Sequence, residues 1–369
     1  MLKNNAKEVN RDQDLERLRK IPGPLVQWYR ENARKLPWRD DPSPYRVWVS
    51  EIMLQQTRIE AGKPYFLRFV ERLPDFSSLA EAEEETLMKL WEGLGYYSRV
   101  RNMKKAAQII VEKYGGNMPA DYAAILSLPG VGEYTAGAVA SIAFGVPVPA
   151  VDGNVLRVLS RILASDANIL QDKVKKRFRE LLEQVIPADC PGDFNQALME
   201  LGALVCIPGK ARCEECPARK FCLARERGIT ELLPVKAKAK PRRIEERTVV
   251  LLIRQGRVAL QKRPETGLLA GLWEFPSAEG KLPGEEVQQW AEAQGLSLKM
   301  WEMLPPAKHV FSHIEWHMAG ILAVLKPDSP EGSFTWVGPE ELAGEYALPS
   351  AFRAFTELAF KILQSPNEV

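Results

Sequence analysis

The sequence predicts an all-α N-terminal half joined to an α+β C-terminal domain, and three observations carry this. From about residue 22 to 225, apolar positions recur at helix spacing, as in Leu79, Leu87, Leu90 and Trp91, or Val155, Val158, Leu159 and Ile162, with no alternating strand. After residue 247 the texture becomes strand-like: TVVLLI and RVALQKR flank a hairpin at Gln255 and Gly256, and HMAGILAVL follows. Between the halves, residues 229–246 are rich in Lys, Arg, Ala and Pro and poor in large apolar groups, as an exposed linker should be. The chain closes with LPSAFRAFTELAFKIL, where Phe352, Phe355, Ala359 and Ile362 form one helical stripe. No repeat of fixed period is visible.

A length of 369 residues exceeds one ordinary core and suits two or three domains, and 46% hydrophobic with 27% charged residues is a soluble globular composition. The first twenty residues, MLKNNAKEVNRDQDLERLRK, are charged throughout, so neither a secretory signal nor a membrane anchor is expected. No apolar run approaches the roughly 20 residues of a membrane span. The expected location is therefore inside the cell, cytoplasmic, and nucleoid-associated if the source is bacterial.

The net charge of +2 conceals clusters of cations. Tyr96, Tyr97, Arg99, Arg101, Lys104 and Lys105 crowd YYSRVRNMKK, mixing aromatic rings suited to bases with phosphate-seeking cations. VKAKAKPRRIEER, residues 235–247, carries six cations against two glutamates. A plain solvated face is the alternative reading of either run.

Four of the five cysteines, Cys206, Cys213, Cys216 and Cys222, form C-x6-C-x2-C-x5-C, leaving Cys190 as a free thiol. Disulfides are disfavoured inside cells, and four crowded thiolates repel unless a cation or cluster neutralises them. Zinc sites usually use two C-x2-C pairs; only one is present, which favours a [4Fe-4S] cluster. The flanking Lys210, Arg212, Arg219 and Lys220 would then be presented rigidly to a phosphate backbone. That favours a structural and DNA-positioning role over redox catalysis.

In LPGVGEYTAG, residues 128–137, Gly130 and Gly132 turn the helical ADYAAILSL into a second helix. The open N–H groups at that helix's start can hold a phosphate, although an ordinary helix corner would look alike. Asp152 precedes the stripe that begins at Val155 and is suited to capping it.

These features, in this order, resemble the helix-hairpin-helix DNA glycosylases of the endonuclease III superfamily. LPWR (36–39), SEIMLQQT (50–57) and EGLGYYSR (92–99) look specifically like the adenine glycosylase branch, the MutY type. The resemblance covers nearly the whole chain. It implies an enzyme that flips adenine out of double-stranded DNA, where it is paired with 8-oxoguanine or guanine, and cuts its N-glycosidic bond. By the same resemblance Glu51 is the general acid for adenine N7. Its setting in VWVSEIML should raise its pKa. Asp152 matches the carboxylate that stabilises the sugar cation, and Asn154 would orient it and the attacking water. Arg34, Arg39 and Gln56 match positions that contact adenine or shape its pocket, and Gln56 could also read the opposite strand. Tyr96 looks like the wedge beside the lesion. Tyr134 stands where the glycosylase/lyase branch has a lysine nucleophile, which implies base removal without efficient strand cleavage.

GLLAGLWEFPSAEGKLPGEEVQQWAEAQGL resembles a Nudix box as far as WEFP, then departs from it at Gln288, Gln289 and Ala293. Too few carboxylates remain to hold magnesium, so a Nudix-like fold that recognises without hydrolysing is expected. Phe311, Ser312 and His313 match the family's 8-oxoguanine recognition loop. His309, His313 and His317 fall four apart, but the prolines upstream and the strand downstream argue against a helix and a zinc site.

The expected organisation is a catalytic region over 1–228, a linker over 229–246 and the Nudix-like domain over 247–369. The catalytic region divides into a six-helix module at about 38–143 and an iron–sulfur module from 9–37 and 144–228. The chain is expected to act as a monomer without a membrane partner. An endonuclease III-like lyase acting on damaged pyrimidines is disfavoured by Tyr134. A non-catalytic iron–sulfur DNA-binding protein would not need both Glu51 and Asp152.

Overall fold

The computed structural model describes residues 11–237 and 241–364; the start of the charged N-terminal stretch and residues 238–240 of the expected linker lie outside the described residues. Contacts divide the chain into two compact units. One takes in the chain up to Glu81 and from Arg101 to the linker, the other Ala82–Val100 and everything beyond the linker.

Among its described residues the first unit is built of helices and turns only. Those that position the site are α1 (Pro22–Asn32), α2 (Pro44–Met53), α3 (Tyr122–Leu126), α4 (Glu133–Phe144), α5 (Gly153–Ile162), α6 (Asp172–Glu183) and α7 (Pro191–Leu204). Pro44 opens α2 where its missing N–H costs nothing, and the Ser43 hydroxyl accepts from the Arg46 N–H at 3.4 Å. Tyr45, Val47, Trp48, Val49, Ile52 and Met53 are all buried. At about 1.5–3 kcal/mol for each large side chain, that burial holds the helix with little help from polar pairs.

Helix α4 is made of small residues, buried from Thr135 to Ser141, and packs against α2, α3 and α7. The approach is close: a Cβ at Gly137 would lie 2.4 Å from the Pro149 carbonyl oxygen. Val155, Val158, Leu159 and Ile162 of α5 are buried in one core with Leu25 of α1 and Phe194, Leu198 and Leu201 of α7.

The second unit is a mixed sheet in the order β3-β2-β1-β6-β5, with β4 paired to β1 and β7 to β2. Its strands are β1 (Arg243–Arg254), β2 (Arg257–Lys262), β3 (Trp273–Glu274), β4 (Ser277–Glu279), β5 (Leu298–Val310), β6 (Ile314–Leu325) and β7 (Thr335–Val337). The β1–β2 hairpin turns at Gln255 and Gly256, as expected, both at positive φ (48° and 73°). Strands β1 and β6 run parallel and are covered on both faces. Val249, Leu251 and Ile253 meet Phe352, Phe355 and Ala359 at the closing helix α9 (Arg353–Gln364), while Val250 and Leu252 meet Val287 and Ala291 of α8 (Val287–Ala293).

Several details differ from the sequence reading. Strand β1 starts at Arg243, inside the segment read as linker. Its first residues pair with β6 through the backbone from Arg243 and Ile314 onward, and such a ladder needs no apolar side chains. In α9, Leu363 is buried and Ile362 only partly. Tyr97 is buried and so withheld from bases, and Arg99 donates to the Leu94 and Gly95 carbonyls and stacks on Trp91. Burial pushes the Arg99 guanidinium down to about 10. Residues 82–100 pack with the second unit: Lys89 Nζ donates to the Tyr346 carbonyl at 3.2 Å, and the Leu348 N–H to Glu92 Oε1 at 2.9 Å.

Gly137→Ala should destabilise the protein by about 2 kcal/mol, because the added methyl meets backbone that cannot turn away. The check is a lower urea midpoint at unchanged m-value; an unchanged midpoint would contradict the tight packing of α4 on residues 149–150.

Candidate active site

An open cleft of about 1080 Å³ in the first unit brings together seven of the residues selected from sequence: Arg34, Arg39, Glu51, Gln56, Tyr134, Asp152 and Asn154. A second cleft, of about 610 Å³ and lined by Asp14, Arg17 and Arg177, holds none of them.

Glu51 lies near the end of α2, only partly covered by core, and lines the cleft. The Tyr134 hydroxyl, from the first turn of α4, donates to Glu51 Oε2 and lies 3.3 Å from Met199 Sδ. Burial, with the Asp152 charge adding to it, pushes the Glu51 carboxyl up to about 7, against the Tyr134 hydrogen bond and Arg39, which pull it down. Burial and the two carboxylates push the Tyr134 phenol well above its usual range, so it stays a donor.

Asp152 caps α5. Its Oδ1 accepts the Val155 N–H at 2.7 Å and its Oδ2 the Asn154 Nδ2–H at 2.8 Å. Burial raises its pKa; those hydrogen bonds and Arg157 oppose the rise. Asn154 Oδ1 in turn accepts from Arg157 Nη2 at 2.8 Å, and Arg157 Nε donates to the Cys206 carbonyl at 2.8 Å. Asp152 is therefore both cap and cavity carboxylate.

Sequence reasoning missed Glu200. Its carboxylate on α7 is forked by Arg34 (2.7 and 2.8 Å) and Arg39 (3.3 and 3.0 Å). Burial opposes its charge, but those hydrogen bonds prevail and hold its pKa down at about 2. The signal that flagged Glu51, an acid among large apolar neighbours, was present in LMELGAL too. Gln56 sits on the cavity wall at φ 61°.

The remaining candidates lie elsewhere. Gly130 and Gly132 are exposed in the turn before α4, Gly130 at φ 75°, and α4 begins without a side-chain cap. Glu133 pairs with Arg179 of α6, a partner that the sequence did not reveal. In the second unit, Tyr96 is exposed at φ 48° and its hydroxyl bonds to Ser312. Phe311, Ser312 and His313 form the turn between β5 and β6, with Phe311 edge-on to His309 and Trp316. His309 and His317 lie on β5 and β6, as the prolines and apolar run implied. Gln288, Gln289 and Ala293 lie on α8.

Cys206, Cys213, Cys216 and Cys222 line one small cavity with Arg161. Arg161, 1% exposed, donates to Cys206 Sγ at 3.4 Å and to the carbonyls of Ile207 and Gly209 at 2.8 and 3.0 Å. Among the described residues no three side chains are set to hold a single metal ion. Burial pushes the Cys216 thiol up to about 12 and raises Cys213 and Cys222, and neighbouring sulfurs add to each. Four sulfurs around one cavity, beside a guanidinium that donates to one of them, fit a cluster that would carry them as thiolates. Lys210, Arg212, Arg219 and Lys220 around it are exposed. Cys190 is a free thiol at the start of α7.

Residues 49–184 match the pattern of HhH-GPD superfamily base excision DNA repair proteins, and residues 248–358 match the NUDIX domain. A solved thermostable thymine-DNA glycosylase aligns over 60% of this chain and 99% of its own, with TM-score 0.51 and 29% identity. Fold and cavity thus define a helix-hairpin-helix base excision glycosylase, an enzyme class that acts on N-glycosyl bonds of DNA. Human adenine DNA glycosylase is 37% identical over 365 residues, covering 82% of this chain and 66% of its own length. The adenine DNA glycosylase of Buchnera aphidicola subsp. Acyrthosiphon pisum (strain APS) is 35% identical over 304 residues, 82% of this chain and 85% of that one. The chain belongs to the adenine DNA glycosylase family. It spans about two thirds of the human relative's length. Family members of the endonuclease III type typically carry an iron–sulfur cluster, and no helix among the described residues is long and apolar enough to cross a membrane.

The raised pKa of Glu51 has a thermodynamic signature. Because the folded state holds the proton more tightly, that stabilisation is complete below pH 4.5 and lost as pH rises through about 7. The stability of Glu51→Gln relative to wild type should therefore increase by roughly 3 kcal/mol over this window. Urea unfolding from pH 4.5 to 8.5 reads it; a constant difference would place the Glu51 carboxyl in water.

Proposed function

We propose that this protein is a monofunctional glycosylase that removes adenine paired with 8-oxoguanine or guanine. The observation that supports this best is the arrangement of Glu51 and Asp152 in one cavity, with a phenol rather than an amine at position 134. Once adenine is flipped into the cleft, Glu51, whose raised pKa of about 7 keeps a proton available toward neutral pH, and which is braced through Oε2 by Tyr134, gives that proton to N7. The glycosidic bond then breaks with its electron pair passing to the base. Asp152, fixed by Val155 and Asn154, faces the sugar cation until water adds at C1′ and passes its proton to the Glu51 carboxylate left by the first transfer. Arg34, Arg39 and Gln56 shape the base pocket. Tyr134 cannot form an imine with the sugar, so strand cleavage does not follow.

The exposed start of α4 at Gly130 and Gly132 suits a phosphate, Tyr96 suits a wedge beside the lesion, and Phe311, Ser312 and His313 suit reading of the 8-oxoguanine. Cys206, Cys213, Cys216 and Cys222 would hold a [4Fe-4S] cluster, which when bound supplies a rigid cross-link for the basic loop. On this reading the protein works inside the cell as a monomer, with its six-helix module at about 38–143 and its iron–sulfur module over 9–37 and 144–228.

Incubation with duplexes carrying A opposite 8-oxoguanine should yield strand breaks only after hot alkali, with activity falling as pH rises through about 7. Glu51→Gln should slow release by about 10²–10⁴-fold. Breaks without alkali would remove the monofunctional reading, and full activity in Glu51→Gln would remove the acid. The purified protein should be coloured and contain iron. Colourless protein with stoichiometric zinc would overturn the cluster.

A further inference from the structure

Glu200 has no step in the chemistry proposed above, yet it holds both arginines of the base pocket. It is 1% exposed, and the Arg34 backbone N–H donates to it as well, at 3.0 Å. Arg39 is fixed on its remaining sides: Nη1 donates to the Arg34 carbonyl at 3.0 Å, Nε to Gln196 Oε1 at 3.1 Å, and its guanidinium lies 5.4 Å over the Tyr29 ring. We propose that Glu200 is a positioning residue, whose carboxylate locks Arg34 and Arg39 into one arrangement and cancels much of the positive charge they would otherwise turn toward Glu51.

The charges around Glu51 support this assignment. From α4 it faces the Tyr134 phenol, and from α5 the Asp152 carboxylate. Arg34 and Arg39 come from the segment before α2, and Glu200 from α7. Arg58, Glu60 and Lys175 also line the cleft, but all three are exposed, and water screens them. Arg39 and Arg34 have side chains only 17% and 29% exposed, so their charge acts at short range in a poorly screened cavity. Among these groups, Arg39 is the cation that pulls the Glu51 carboxyl toward ionisation. The buried Glu200 anion sits directly against that arginine and offsets its charge.

This inference rests on Glu51 being the acid, and one experiment separates the two ideas. Single-turnover adenine release from an A:8-oxoguanine duplex is followed from pH 4.5 to 9 for wild type, Glu200→Gln, Glu200→Asp and the double variant Glu200→Gln/Arg39→Gln. In Glu200→Gln the alkaline limb should move acidward by about one pH unit, a ~10-fold loss at neutral pH that is regained in acid. Glu200→Asp should keep its limb near that of wild type. The double variant should return its limb toward wild type, whatever its absolute rate, because the net positive charge added by Glu200→Gln is removed again. A uniform loss at every pH with an unmoved limb overturns the proposal, as does an identical limb in single and double variants. If Glu200→Gln fails to fold, the double variant against Arg39→Gln alone reads the same charge: a limb displaced acidward in the double variant supports the proposal and coincident limbs overturn it. Full activity in Glu51→Gln would instead remove the acid itself, independently of any limb position in the Glu200 variants.

Discussion

The cap of α5 is the interaction on which the rest of the site depends. Asp152 closes that helix through the Val155 N–H, and Asn154 ties down the second carboxylate oxygen. Asn154 has little freedom, because a Cβ at Gly202 of α7 would lie 2.6 Å from its own Cβ. Arg157 then joins Asn154 to the carbonyls of Gly202 and Cys206, and one turn later Arg161 is spread over the cysteine loop. A single helix therefore aims the cavity carboxylate and holds the cysteine loop at Cys206 and Cys222. Its apolar stripe, buried against α1 and α7, prevents the first turn from fraying.

Burial works on the two cavity carboxylates in the same direction but meets different opposition. Asp152 accepts two backbone N–H groups and an amide, which favour its charge; Glu51 is opposed by the Tyr134 phenol and, more weakly, by Arg39. The two carboxylates are thus held in different environments within one cavity, which is the separation that the proposed roles of acid and anion require. Glu200 shows the third outcome, a buried carboxylate kept ionised by two guanidiniums. Charge on the outer surface is managed differently. Glu133, in the first turn of α4, is paired with Arg179, so the open N–H groups there are not faced by an unpaired anion.

What the sequence determined by itself was whatever depends on local spacing. Helix periodicity, the Gln255–Gly256 hairpin, the capping Asp152, the cysteine run and the glutamate among apolar neighbours are all read within a few residues, because local backbone geometry imposes those patterns. Tertiary structure alone decided the rest. Glu200 reaches Arg34 and Arg39 across more than 160 positions of chain, Glu133 finds Arg179, and Tyr134 finds Glu51. Tyr97 turns inward while its neighbour Tyr96 turns outward, and β1 begins among charged residues because its partner strand supplies the backbone bonds. Such outcomes depend on which surfaces meet once the core has formed. A charge or aromatic ring carries no local mark of the partner that will neutralise or bury it.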